Sequence, residues 1–207
     1  MTKKIIDVFH NKKTHVPFFV PDISKSDKLA VMNALNSRML TDGPQLRKFE
    51  QEFAKYTGSK YAVGVSNGTA SLHLALKALG LKKGDEVIIP DITFVATVNS
   101  VLLTGATPVL ADVNYDDMNI SLDSIKQNIT SKTKAILPVH LAGKICKMVG
   151  IKKIAKKNNL MLIEDCAHAI GTKLNNKHAG TFGNVGCFSF YPTKNFTTIE
   201  GGMVITN

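Results

Sequence analysis

The stretch Tyr61-Ala-Val-Gly-Val65-Ser-Asn-Gly-Thr-Ala-Ser-Leu-His-Leu-Ala-Leu-Lys-Ala-Leu79 sets the architecture of the chain. A short β-prone run leads through Ser66, Asn67 and Gly68 into apolar residues at helical spacing, so a strand feeds directly into a helix. The alternation repeats downstream. Apolar runs stand at Glu86-Val-Ile-Ile89, Pro108-Val-Leu-Ala-Asp112, Lys134-Ala-Ile-Leu-Pro-Val139 and Leu160-Met-Leu-Ile163, with helices expected over 69–79, 93–104, 121–128 and 147–158. Such alternation implies right-handed strand–helix–strand units and an α/β fold, a mostly parallel sheet with helices on both faces. The runs are almost wholly apolar, as burial on both faces of a sheet requires. After Gly171 the texture changes to Gly180, Gly183 and Gly186 around Val185-Gly-Cys-Phe-Ser-Phe190, and Met203-Val-Ile-Thr206 reads as a last strand. A strand so near the terminus reads as the end of a shortened chain, or as an edge strand of a naturally short one.

Toward the amino terminus, residues 1–58 read as a helical segment preceding an α/β unit over 59–207. Ser24 or Ser26 can cap a helix running to about Met39, with Leu29, Met32 and Leu35 on one side. Thr41-Asp42-Gly43-Pro44 reads as a turn with proline at the first helical position. Leu46, Phe49, Phe53 and Tyr56 follow at helical spacing, and Gly58 stops the helix.

Composition narrows the function classes. The 207 residues are 44% hydrophobic and 20% charged, enough for a substantial core and unlike a disordered or fibrous chain. No apolar run reaches the ~18–20 residues of a membrane span, and the opening decapeptide lacks the apolar stretch of a secretory signal. Cys146, Cys166 and Cys187 form neither a disulfide framework nor a CxxC metal site. A cytoplasmic chain with reduced thiols, no membrane contact and no bound metal is therefore expected. The net charge of +10 invites a nucleic-acid reading, with Lys3, Lys4, Lys12 and Lys13 at the start and six lysines between Lys144 and Lys157. On a helix, however, Lys153, Lys156 and Lys157 share one face and Met148, Ile151 and Ala155 another, which is an ordinary amphipathic surface helix. Arginine occurs only at Arg38 and Arg47 and tryptophan not at all, so no nucleic-acid partner is expected. The charge suits a polyanionic small substrate.

Ligands of open α/β sheets collect at the carboxyl ends of the strands. Three features fall there. Ser66-Asn67-Gly68-Thr69-Ala70 offers small residues and a helix start, a form that divides evenly between a phosphate cradle and a plain capped helix. Glu164-Asp165-Cys166-Ala167-His168 puts carboxylates at a strand end, where one buried alone costs several kcal/mol and asks for a cation. His168 could reach the same ligand or satisfy a backbone carbonyl. Lys194, in Ser189-Phe-Tyr-Pro-Thr-Lys194, lies among Phe188, Phe190, Tyr191 and Phe196, a setting that lowers an amine's pKa. Each has a bland reading alone; together they meet the needs of pyridoxal 5'-phosphate. The helix start takes the phosphate, the lysine forms a Schiff base, the aspartate pairs with the ring nitrogen, and Phe94 stacks on the ring.

Ser66-Asn-Gly-Thr-Ala-Ser-Leu-His-Leu-Ala-Leu76, Pro138-Val-His-Leu-Ala-Gly143, Glu164-Asp-Cys-Ala-His-Ala-Ile-Gly171 and Ser189-Phe-Tyr-Pro-Thr-Lys194 through Glu200-Gly-Gly202 resemble the DegT/DnrJ/EryC1/StrS aminotransferases. That resemblance runs from about residue 15 onward. It implies the large domain of a fold type I, aspartate-aminotransferase-like enzyme acting on nucleotide-linked keto sugars. It implies that Lys194 holds the cofactor and shuttles a proton, that Asp165 pairs with the ring nitrogen, and that His168 lies near the ring hydroxyl. Thr69, Ala70 and Ser189 would bind the phosphate and Phe94 would stack. The implied reaction is ping-pong, with an amino acid, usually glutamate, as amine donor. A sister branch that dehydrates sugars has histidine at the lysine position, and Lys194 sets this chain apart from it. His168 and the Ala142-Gly143 pair lean toward members acting at sugar C4.

Two departures accompany the resemblance. Ile199 stands where a glycine or other small residue often precedes Glu-Gly-Gly. Family members are also considerably longer, so a C-terminal small domain is expected to be absent here, along with part of the substrate site. The full-length form is expected to be a homodimer. The competing expectation is a truncated, non-catalytic remnant that binds the cofactor or pairs with a full-length paralogue.

Overall fold

The computed structural model describes Pro17 and residues 19–207; Lys3, Lys4, Lys12 and Lys13 lie outside the described residues. Helix α1 spans Lys25–Leu35 and opens with a capping box, in which Asp27 N–H donates to Ser24 Oγ and Ser24 N–H to the Asp27 carboxylate. It stops at Asn36, short of the expected Met39. Leu29, Met32 and Leu35 do share a side, but all three are exposed and no residue of α1 is buried. Helix α2, Pro44–Thr57, has proline at its start and Gly58 at φ +76° closing its end, as the sequence predicts.

Strands and helices then alternate: β1 Tyr61–Val65, α3 Gly68–Ala78, β2 Glu86–Pro90, α4 Val95–Leu102, β3 Thr107–Ala111, α5 Leu122–Gln127, β4 Thr133–Ile136, α6 Met148–Lys157 and β5 Met161–Asp165. A short hairpin, β6 Lys173–Leu174 and β7 Lys177–His178, turns at Asn175 and Asn176, both at positive φ. Strands β8, Val185–Ser189, and β9, Gly202–Thr206, complete a seven-stranded sheet in the order β1-β9-β8-β5-β4-β2-β3.

From β3 to β8 the pairings are parallel; β9 is antiparallel to both β8 and β1. The expected mostly parallel sheet is therefore present. The edge-strand reading of 203–206 is wrong, since β9 is hydrogen-bonded on both sides and β1 and β3 form the edges. Edge position also explains why Val63 and Leu110 are exposed, although their strands read as apolar runs. Strand β4 stops at Ile136 rather than Val139 because Pro138 lacks a ladder donor; Val139 rejoins only through a bridge to Asp165.

Alternation along the inner strands feeds two cores. Val87, Ile89, Leu137 and Ile163 pack with Leu72 and Leu76 of α3, while Ile88, Ile136 and Leu162 pack with Met148, Ile151 and Ile154 of α6. Lys153, Lys156 and Lys157 face solvent as expected. A third core joins α2 to β8 and β9, with Phe53 edge-on to both Phe188 and Phe190. The three cysteines are free and buried, and burial raises each thiol's pKa. No described helix is long and apolar enough to cross a membrane.

The β8–β9 connection carries backbone strain. Ile199 sits at φ +73° with its side chain exposed, a conformation that β-branched residues rarely adopt. Threonines hold it there: Thr197 Oγ1 accepts the Ile199 amide at 2.9 Å and donates to Phe190 O, whose carbonyl also accepts the Thr198 amide. Ile199→Gly should therefore raise the unfolding free energy by about 1 kcal/mol in urea titrations, since glycine bears no penalty at positive φ. Gly186→Ala should do the opposite. A Cβ there would lie 2.5 Å from the Gly180 backbone, and the overpacking should cost about 2 kcal/mol in the same measurement.

Candidate active site

The carboxyl ends of β1, β5 and β8 meet the start of α3 around a cavity of about 460 Å³, a volume suited to a cofactor. At the helix start, Asn67 is the N-cap and its side-chain oxygen accepts the Ala70 amide at 2.9 Å. Helical geometry leaves the Gly68 and Thr69 amides without acceptors in the helix. Gly68 packs so closely on Ser189 that a Cβ would come within 2.7 Å of the serine Cβ. That contact sets Ser189 against the helix start, and Thr69 and Ser189 both line the cavity at the positive end of the helix dipole. Asn67 thus caps the helix, as the plain reading of this motif has it, and Gly68 and Thr69 line the cavity.

Strand β5 runs two residues past the expected Ile163, so Glu164 and Asp165 belong to the strand and alternate between its faces. Asp165 faces the cavity and is almost wholly buried. Its Oδ1 accepts the Ala167 amide at 3.1 Å and its Oδ2 accepts the Thr97 hydroxyl at 3.0 Å. Burial pushes its pKa up, while those two hydrogen bonds pull it down. Among the described residues no cation lies within ion-pair distance of this carboxylate, which rests on one amide and one hydroxyl.

Glu164 points the other way and is fully buried. Its Oε1 accepts the amides of Phe182 and Gly183, both at 2.6 Å, and its Oε2 accepts the Gly180 amide at 2.8 Å and His140 Nε2 at 3.0 Å. His140 Nδ1 accepts the Cys146 amide, so the ring proton sits on Nε2 and is donated to Glu164. Cys166 Sγ lies close enough to complete a His-Glu-Cys cluster of metal-ligand type. The donor set does not suit a metal, because the lone pairs of Glu164 and His140 are already engaged and burial keeps the thiol protonated.

Lys194 lies half-buried across the cavity, beside Tyr191 and Thr193. Desolvation lowers its pKa, opposed by the attraction of Asp165. Phe94, the N-cap of α4, lines the cavity and is 71% exposed, and among the described residues no ring stacks on it. His168 also lines the cavity, and its Nδ1 accepts the Ala142 amide at 3.3 Å. It therefore satisfies a backbone amide rather than a carbonyl. Ala142 and Gly143 both have positive φ, and a Cβ at Gly143 would come 3.0 Å from the His168 carbonyl oxygen. His168 pKa is lowered by burial and by the Lys194 charge.

Thr69, Phe94, Asp165, His168, Ser189 and Lys194 thus line one cavity, and Ala70 lies next to it with its amide held by Asn67. Sequence reasoning missed Thr93 and Thr97, whose hydroxyls are 2.8 Å apart behind Asp165. Thr93 stands just before the Phe94 cap of α4 and Thr97 in its first turn; their spacing of four was the available signal, but threonines at that spacing are commonplace. It also missed Glu200 on the cavity wall and the role of His140. The residues present fit pyridoxal phosphate: free amides for its phosphate, an uncompensated carboxylate for its ring nitrogen, a bare aromatic face and an amine of lowered pKa.

Comparison with known proteins accords with this chemistry. The model of the DegT/DnrJ/EryC1/StrS aminotransferase family matches residues 21–207. GDP-perosamine synthase of Escherichia coli O157:H7 is 46% identical over 194 residues, covering 93% of this chain and 53% of that protein. An aminotransferase from Psychrobacter cryohalolentis superposes with a TM-score of 0.89 at 44% identity, over 92% of this chain and 49% of that one. The PLP form of Spr1654 from Streptococcus pneumoniae gives 0.90 at 33% identity, over 93% and 53%. The chain therefore spans about half the length of the relatives it matches. Fold, motifs and similarity agree that this chain belongs to the DegT/DnrJ/EryC1/StrS aminotransferase family.

Proposed function

We propose that the chain is the cofactor-binding portion, residues 59–207 with the helical segment before it, of a cytoplasmic, homodimeric aminotransferase. In this reading it moves an amino group from an amino acid, glutamate, to a nucleotide-linked keto sugar. One observation carries the reading: Asp165, Lys194 and the free α3 start converge on a single cavity. Similarity to a GDP-perosamine synthase supports a nucleotide-linked sugar as acceptor. His168 and the Ala142-Gly143 turn packed on it support C4 as the position.

Bound pyridoxal phosphate supplies an electrophilic aldehyde and an electron-withdrawing ring. Around it, the amides of Gly68 and Thr69 and the hydroxyls of Thr69 and Ser189 would hold the phosphate. Asp165 would keep a proton on the ring nitrogen, and His168 would donate toward the ring hydroxyl from Nε2, its Nδ1 being committed to Ala142. Phe94 would cover the ring face and exclude water. Lys194 would bind the cofactor covalently and, once released, take and return a proton at Nζ. Desolvation favours its neutral form, which both roles need.

The second reading is a non-catalytic remnant that binds the cofactor or pairs with a full-length paralogue. Absorbance spectroscopy of the chain with pyridoxal phosphate separates these possibilities. A red-shifted band should form, be fixed on Lys194 by borohydride as located by peptide mapping, and be absent from Lys194→Ala. Excess glutamate should then bleach the band if amine transfer occurs, and leave it untouched in a remnant. A folded wild-type chain without a band, or equal labelling of the variant, overturns the aminotransferase reading of this chain and leaves the remnant that pairs with a full-length paralogue. Since burial lowers the pKa of Lys194, the rate of band formation should level off at a lower pH than for an exposed lysine.

A further inference from the structure

Thr97 is wholly buried on α4 and does not line the cavity, yet it behaves unlike the other buried hydroxyls on helices. Thr57, Ser71 and Ser100 donate to backbone carbonyls of their own turn, as helical hydroxyls ordinarily do. Thr97 instead donates across the fold to Asp165 Oδ2, 68 positions away in sequence. A carboxylate oxygen only accepts, so the single hydroxyl proton of Thr97 is committed to Asp165. The 2.8 Å contact between Thr93 Oγ1 and Thr97 Oγ1 must then be Thr93 donating. The chain of hydrogen bonds has one direction, Thr93 to Thr97 to Asp165, and it begins at the cavity wall, which Thr93 lines.

We propose that Thr97 is a positioning residue that holds Asp165 as an oriented anion for the cofactor ring, with Thr93 fixing the direction of the Thr97 hydroxyl. This rests on the reading of the cavity as a pyridoxal phosphate site. The physical need is plain. Among the described residues Asp165 has no cation within ion-pair distance, and burial alone favours the protonated acid, which cannot hold a proton on a ring nitrogen. The Ala167 amide secures Oδ1, and Thr97 secures Oδ2. The other titratable groups around the carboxylate are His168 and Lys194 at the cavity, His140 and Glu164 behind β5, and the thiols of Cys146, Cys166 and Cys187. Nothing among them replaces the Thr97 hydrogen bond at Oδ2.

The test is the pH profile of pyridoxal phosphate affinity for wild type, Thr97→Val, Thr97→Ser and Thr93→Val. Valine preserves shape and removes the hydroxyl; serine keeps the hydroxyl. Without Thr97's donor, Asp165 should take up a proton at a pH about one unit higher, given the strength of hydrogen bonds to charged groups. The acid-side loss of affinity should therefore move up by about one pH unit in Thr97→Val, with about tenfold weaker binding on that limb. Thr97→Ser should restore the wild-type profile, Thr93→Val should shift it less, and Asp165→Asn should remove the difference between Thr97 and valine. The cofactor phosphate titrates alike in every variant and cancels, whereas Lys194 feels the Asp165 charge and is compared only among variants that keep Asp165. Equal weakening at all pH values, or failure of serine to rescue, overturns the proposal.

A cofactor-free readout keeps the test decisive if wild type binds no pyridoxal phosphate, the outcome that would sink the underlying reading. In a double-mutant cycle of Thr97→Val and Asp165→Asn followed by urea midpoint, the effects should be non-additive. Additive effects would show the two side chains uncoupled and end the proposal.

Discussion

Glu164 is the point on which the geometry of this molecule turns. A carboxylate removed from water must collect donors, and this one collects three amides from the Gly180–Gly183 loop and the imidazole of His140. The loop leads into β8 and ends in the strand that carries Ser189. His140 lies at the start of the turn bearing Ala142 and Gly143, and its amide donates to the Asp165 carbonyl oxygen. One buried side chain therefore ties together β5, the approach to β8 and the turn beneath His168. Its neighbour Asp165, on the other face of the same strand, inherits a fixed position. Two adjacent carboxylates take opposite tasks because a strand turns successive side chains to opposite sides.

Most of the fold could be read from the chain, because its information is local. Apolar runs alternating with helical spacing identify β2, β4, β5 and β8, and the Gly43–Pro44 and Gly58 signals bracket α2 to within a residue. What the chain hides is non-local. Nothing in Met203–Thr206 distinguishes an edge strand from one seated between β8 and β1, because that choice depends on partners over a hundred residues away. The end of α1 was missed for a local reason: Asn36 and Ser37, weak helix formers, stand where it stops.

At the site, the legible residues are those whose chemistry is unusual for their surroundings. A lysine among aromatics and a carboxylate at a strand end stand out, and Lys194 and Asp165 do share the cavity. Thr93 and Thr97 escape notice because a threonine in or just before a helix has an unremarkable explanation nearby. Only the direction of a hydroxyl, which sequence cannot show, separates Thr97 from Ser100 one turn later. Glu164 escapes for a similar reason, since the amides that receive it belong to backbone of no particular sequence.

Strand β9 has a consequence for how the molecule assembles. Strand β1 pairs with β9 alone, in a register that joins Val65 to Gly202 and Tyr61 to Thr206. As the chain leaves the ribosome, β2 can find β3 and then β4 and β5, but β1 must wait for residues made long after it. Loop closure over such a distance is slow. Strand β1, which leads directly into the α3 start, therefore joins the sheet through a pairing that spans most of the chain, while the parallel strands pair with nearer neighbours.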